Sequence, residues 1–122
     1  MFNEVKAMIQ NQVSGDEYDE QIIMWIEAAV LDLTRTAAIV LPGEVHITRT
    51  KTPATTSEPE KWTITDTSTL MDRLVISAIA TYVCMNIGNP PNYEQLARSY
   101  RSLKGSMEKS RHYTSYDGVT TT

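Results

Sequence analysis

Residues 69–105, TLMDRLVISAIATYVCMNIGNPPNYEQLARSYRSLKG, constrain the fold of this chain more than any other stretch. From residue 70 to residue 87 the run is apolar on nearly every side. Leu70, Leu74, Ile76, Ala78, Ile79, Tyr82 and Val83 cannot share one helical stripe. A helix that is apolar all round is buried among other helices or lies in a membrane. Asp72 and Arg73 interrupt the run, so no window of about 18 uncharged apolar residues survives to span a bilayer. The reading is a central helix wrapped by other helices. Asp66, Ser68 and Thr69 supply capping oxygens for its start, with Asp72 three residues after Thr69.

The second half of the stretch is built to pack against the first. Gly88 closes the central helix as a left-handed cap, and Pro90 and Pro91 forbid continuation. Asn92 then caps a new helix, with Gln95 three residues on as in a capping box. Leu96, Tyr100, Leu103 and Met107 fall at spacings of four, three and four and make one apolar stripe. Arg98, Arg101, Lys104, Glu108 and Lys109 occupy the other side.

Upstream, Phe2, Val5, Met8 and Ile9 lie at near-helical spacing in a short first helix, which needs a packing partner to be stable. Asp16, Glu17, Asp19 and Glu20 crowd the start of the second helix, where carboxylates favour the positive end of the helix dipole. They lack the alternation, glycine and distal glutamate of a calcium loop. Ile22, Ile26, Ala29, Val30, Leu33 and Ala37 form the stripe of that helix. Trp25 lies off the stripe, either on a neighbouring subunit or closing the edge of the core. Pro42 and Gly43 end the region. VHITRT and KWTIT then alternate and are rich in β-branched residues, separated by the polar KTPATTSEPE. They read as two short strands or a loose hairpin with a mobile tip, against the alternative of a flexible loop. A two-stranded hairpin is marginal alone, which points to support from another subunit. The end, SRHYTSYDGVTTT, has no helical stripe and is a free tail or an arm that reaches a neighbour through Tyr113 and Tyr116.

Chemistry is hard to place. With 122 residues, 41% of them apolar, and a net charge of −4, the chain is an ordinary globular domain without the basic footprint of a nucleic-acid binder. Its single cysteine, Cys84, sits in the apolar run and suits a buried thiol in a reducing compartment. MFNEVKAMIQ does not read as a secretory signal. His46 and His112 stand beside no cysteine or paired carboxylate at metal-ligand spacing. There is no phosphate loop and no nucleophile elbow. The expectation is no enzyme, no metal and no cofactor. No helix pairs a basic face with aromatic anchors, so no membrane partner is expected.

Four stretches carry a resemblance. They are DEYDEQIIMWIEAAVLDL, KWTITDTSTLMDRLVISAIATYV, IGNPPNYEQLARSY and SYRSLKGSMEKSRHY, which together span about residues 15–113. In them the chain resembles the head–tail connector proteins of long-tailed bacteriophages, also called head-completion or adaptor proteins. The resemblance implies a structural virion protein at the head–tail interface, present in the host cytoplasm during assembly. It implies a homo-oligomeric ring, usually dodecameric, beneath the portal protein. Such a ring extends the channel for genomic DNA without sequence-specific binding and docks the tail or a stopper protein. It implies no catalytic residue.

The expected architecture is mainly α. It is one domain over residues 1–122, with helices at about 2–13, 17–38, 69–87 and 92–109. A long β-hairpin-like loop at 42–68 lies between the second and central helices, and an extended C-terminal arm covers 110–122. The candidate interface residues are Trp25, His46, Trp62, Tyr113 and Tyr116. One alternative is a DNA-binding regulatory or packaging subunit using Arg98, Arg101 and Lys104, whose duplex binding would fall steeply with salt. The other is a tail-completion protein.

Overall fold

The structure, a computed structural model, describes residues 1–9, 17–37, 39–87, 90–110 and 113. Its elements run α1 (Phe2–Met8), α2 (Asp19–Leu31), a π-helical turn (Asp32–Thr36), β1 (Ile47–Thr52), β2 (Lys61–Asp66), α3 (Arg73–Asn86) and α4 (Tyr93–Glu108). The fold is mainly helical with one antiparallel hairpin.

The all-round apolarity of the central run has the expected result. α3 packs on α1, α2 and α4, and no residue from 74 to 87 is exposed. Burying each large apolar side chain contributes about 1.5–3 kcal/mol, so α3 is the main source of cohesion. α1 buries Phe2 and Val5, and its C-cap residue Ile9 is buried beside them, at spacings of three and four. Being short, it gains most of its stability from that contact. Two ion pairs fix its direction: Lys6 to Asp19 at 2.8 Å and Arg73 to Glu4 at 3.0 Å.

The start of α3 differs from the sequence expectation. Asp72 is the cap, and its Oδ1 accepts from the N–H groups of Leu74 and Val75 at 3.0 and 3.1 Å. The earlier oxygens serve the hairpin base instead. Thr69 Oγ1 accepts from Glu44 N–H, Ser68 Oγ from His46 N–H, and Asp66 from the N–H groups of Phe2 and Ser68. Ser, Thr and Asp oxygens satisfy any nearby backbone donor, and here the returning strand lies closer than the helix. Asn92 stands at the N-cap of α4 but makes no side-chain capping bond, so the capping box does not form. Gly88 lies outside the described residues.

α2 also ends differently. After Leu31 the bonding widens, with Ala37 N–H donating to Asp32 C=O at 3.2 Å across five residues. The stripe holds, with Ile22, Ile26, Ala29 and Leu33 fully buried. At Gly43, φ is +154°, and a Cβ there would stand 2.6 Å from Leu70 Cα. Glycine therefore lets the chain pass directly against the residues that precede α3.

The hairpin register pairs Ile47 with Asp66, Arg49 with Ile64 and Lys51 with Trp62 on one face. Thr48 with Thr65, Thr50 with Thr63, and Thr52 with Lys61 form the other. Ile47 is buried, Arg49 and Ile64 are half-buried, and residues 50–63 are all exposed. The tip makes its own turn, in which Thr55 N–H donates to Glu58 C=O at 2.8 Å and Glu58 N–H to Thr55 Oγ1 at 3.0 Å.

Candidate assembly interface

The hairpin presents two unlike faces. On one, the Trp62 ring is 48% exposed and lies beneath the Arg49 guanidinium, 3.8 Å from the ring centroid. Lys51 approaches the same ring at 5.9 Å and pairs with Glu60 at 2.5 Å. The ring quadrupole attracts both cations, which holds an otherwise solvent-facing indole in place. Arg49 also reaches Glu20 of α2 at 3.3 Å and so ties the hairpin to the helical body. A cleft of about 540 Å³ opens there between Glu17, Asp19, Arg49, Lys61, Trp62 and Ile64. The other face is a ladder of threonines, β-branched and uncharged apart from Lys61. β-Branched side chains suit a flat pleated surface.

His46 stands at the hairpin base. Its backbone joins the two arms, donating to Ser68 Oγ at 2.9 Å and accepting from Thr67 N–H at 2.9 Å. Its ring points to solvent and meets Glu44 at 2.7 Å. Such an exposed pair contributes little to stability.

Trp25 packs in its own chain. It stands 6.1 Å from Tyr82, whose ring lies 5.1 Å from Tyr100. Tyr100 donates its hydroxyl to Asp32 at 2.5 Å, and Lys104 reaches the same oxygen at 3.2 Å. Burial, then the Asp32 carboxylate, push the Tyr100 phenol far above its ordinary value. Burial would raise Asp32, but the hydrogen bonds from Tyr100, Lys104 and Thr36 outweigh it and hold the carboxyl below the usual range. This row of aromatic rings runs along the edge of the core, and Trp25 at its end is half-buried.

Tyr113 is not part of a free arm. It is 7% exposed. Its hydroxyl donates to Asp72 Oδ2 at 2.8 Å, and its carbonyl accepts from Val40 N–H at 2.6 Å. Burial, then the Asp72 carboxylate, push its phenol up to about 12. Asp72 thus caps α3 with one oxygen and holds Tyr113 with the other. Tyr116 and the residues after it lie outside the described residues.

One surface went unread in the sequence. A groove runs between the outer side of α2 and residues 39–46. Two hollows there share Val30 and Val45, and a third, lined by α2 alone, meets the first at Glu27. Leu31 and Val40 beside it are each 49% exposed, and Met24 is 51% exposed. Its signal was present: IIMWIEAAVL holds more apolar residues than one stripe can bury. Which of them border a groove depends on where residues 39–46 return, and that is a tertiary matter.

Among the described residues, no three His, Cys, Asp or Glu side chains cluster to hold a metal ion, and no helix is long and apolar enough to cross a membrane. Burial pushes the Cys84 thiol up, away from the reactive thiolate.

No curated protein and no solved structure matches this chain. A family model described as phage connector protein matches residues 1–114. That span contains all four helices and both strands of the hairpin. The chain therefore belongs to the phage connector protein family.

Proposed function

We propose that this connector protein forms a closed ring beneath the portal of a long-tailed phage, extends the DNA channel and docks the tail or a stopper protein. The observation that carries the reading, beyond family membership, is a well-cored helical body bearing a hairpin exposed over residues 50–63. A segment that buries so little of itself is suited to contacts with other chains. Repeated head-to-tail contacts of one chain type close into a ring when the rotation permits. Genomic DNA passes through without sequence-specific contact, in keeping with the net charge of −4. Trp62 and His46 on the hairpin are the proposed interface residues.

The reading as a DNA-binding subunit loses one of its three side chains. Lys104 turns to Asp32 and Tyr100, while Arg98 and Arg101 are exposed on a helix that also exposes Glu94 and Glu108. Such a face falls short of a basic footprint.

The test is imaging of phage particles carrying a tagged chain. Extra density between portal and tail is the expected result. A tag elsewhere on the particle, or no tag in it, overturns the proposal.

A further inference from the structure

The groove beside α2 and the hairpin carry opposite charge on one chain. The α2 side of the groove carries Glu20 and Glu27 and the facing segment Glu44, with no Lys or Arg among the lining residues, whereas Asp19 pairs with Lys6 and lines the cleft beside Trp62. β1 and β2 together have Arg49, Lys51 and Lys61, with one carboxylate, Asp66, at the base. Asp66 is occupied by the N–H groups of Phe2 and Ser68. Arg49 is paired with Glu20 and Lys51 with Glu60, whereas Lys61 and Glu27 each make no ion pair among the described residues. The groove between the acidic helix and residues 39–46 has an apolar floor that includes Val30, Leu31 and Val45. The threonine face presents methyl groups, with Lys61 opposite Thr52 at its far end, where it also borders the cleft beside Trp62.

We propose that the groove takes the hairpin of a second copy of this chain, with the threonine face over the apolar floor and Lys61 toward Glu27. The inference rests on the ring reading and names the contact that would build it. Complementarity between two different patches of one chain makes a heterologous contact, which leaves the opposite patch of each copy open for the next. Opposite charges across the contact set its register and disfavour groove-to-groove pairing, where carboxylates would meet carboxylates. The apolar floor supplies the attraction that the charges alone, partly screened by salt, do not.

The experiment uses the full chain with a photo-crosslinking benzoylphenylalanine in place of Thr63, an exposed hairpin position outside the core. Labelled protein carrying the crosslinker, made with 15N, is mixed with unlabelled protein and irradiated at rising concentration. Mass spectrometry then locates the adducts. Mixed-isotope adducts within residues 20–31 or 40–45 are expected. Adducts confined to one isotope, between-copy adducts on other surfaces, or no adducts overturn the proposal. The charge contact has its own readout. Glu27→Lys and Lys61→Glu should each lower the between-copy yield severalfold, and the two combined should restore it. Failure of the double variant to recover overturns the pairing. Incorporation into particles is measured separately, so a chain that enters the virion yet crosslinks elsewhere refutes the groove and leaves the connector reading standing.

Discussion

At the scale of single residues, two carboxylates hold more than their local surroundings. Asp32 receives Tyr100 and Lys104 from α4, and Asp72 receives Tyr113 while capping α3. Hydrogen bonds to charged groups are worth about 1.5–3 kcal/mol, so Tyr100→Phe should lower stability by roughly that amount in urea denaturation at neutral pH. The pH dependence is set by the direction of the Asp32 and Asp66 shifts. Both carboxyls are held below their ordinary value of 3.8 in the folded chain. At Asp66, burial opposes this but hydrogen bonds from Ser68 and Phe2 outweigh it. A group with a depressed folded pKa contributes stability that is full above the unfolded value and lost as pH falls toward the folded one. The denaturation midpoint should therefore drop on acidification below about pH 4 to 5, and Asp32→Asn should make that drop shallower. At the alkaline end the sign reverses. Tyr113 is raised, so its contribution is complete below 10 and fades as pH rises toward about 12. Tyr113→Phe should remove that alkaline loss along with the bond to Asp72.

At the scale of elements, the junction between the hairpin and α3 is the most demanding part of the chain. Gly43→Ala places a Cβ 2.6 Å from Leu70 Cα, a backbone atom that cannot swing aside. The expected cost is about 1–3 kcal/mol, seen as a lowered Tm. Asp72→Ala should exceed the loss of an ordinary helix cap, about 1 kcal/mol, because Tyr113 loses its acceptor too. Comparing it in the Tyr113→Phe background separates the two roles: the difference between backgrounds is the share carried by the tyrosine. This junction also shows what the sequence can and cannot reveal. α3 was legible because its apolarity on every side admits few alternatives. The hairpin was legible because its strands alternate with period two and are rich in β-branched residues. The cap was misplaced, because Asp66, Ser68, Thr69 and Asp72 are all competent caps and only the return of residues 44–46 shows which are already engaged. Trp25 was ambiguous for a related reason, since its partner Tyr82 stands on another helix. The widening of α2 at Asp32–Thr36 left no mark in DLTRT that propensity could read.

At the scale of the whole molecule, cohesion and display are divided between separate parts of the chain. The buried core draws on α1, α2, α3, α4 and the segments around Ile39 and Leu70, and takes from the hairpin only Ile47. Residues 48–65 add the half-buried Ile64 and the Arg49–Glu20 link, which is largely open to solvent on its Glu20 side. If the hairpin serves assembly and not folding, replacing residues 48–65 with an Asn-Gly turn should leave stability within about 1 kcal/mol of the full chain, as for other exposed sites. The base bonds between residues 44–46 and 67–70 remain to close the loop. The same replacement should abolish incorporation into particles. Thermal melting and virion fractionation of one variant therefore decide the matter together. A large fall in Tm would mean that the hairpin supports its own body, and exposure would then be a poor guide to its role. Unchanged Tm with full incorporation would move the assembly contacts to the helical surface. Intact folding with lost incorporation is the outcome expected of a chain whose exposed hairpin is completed by its neighbours.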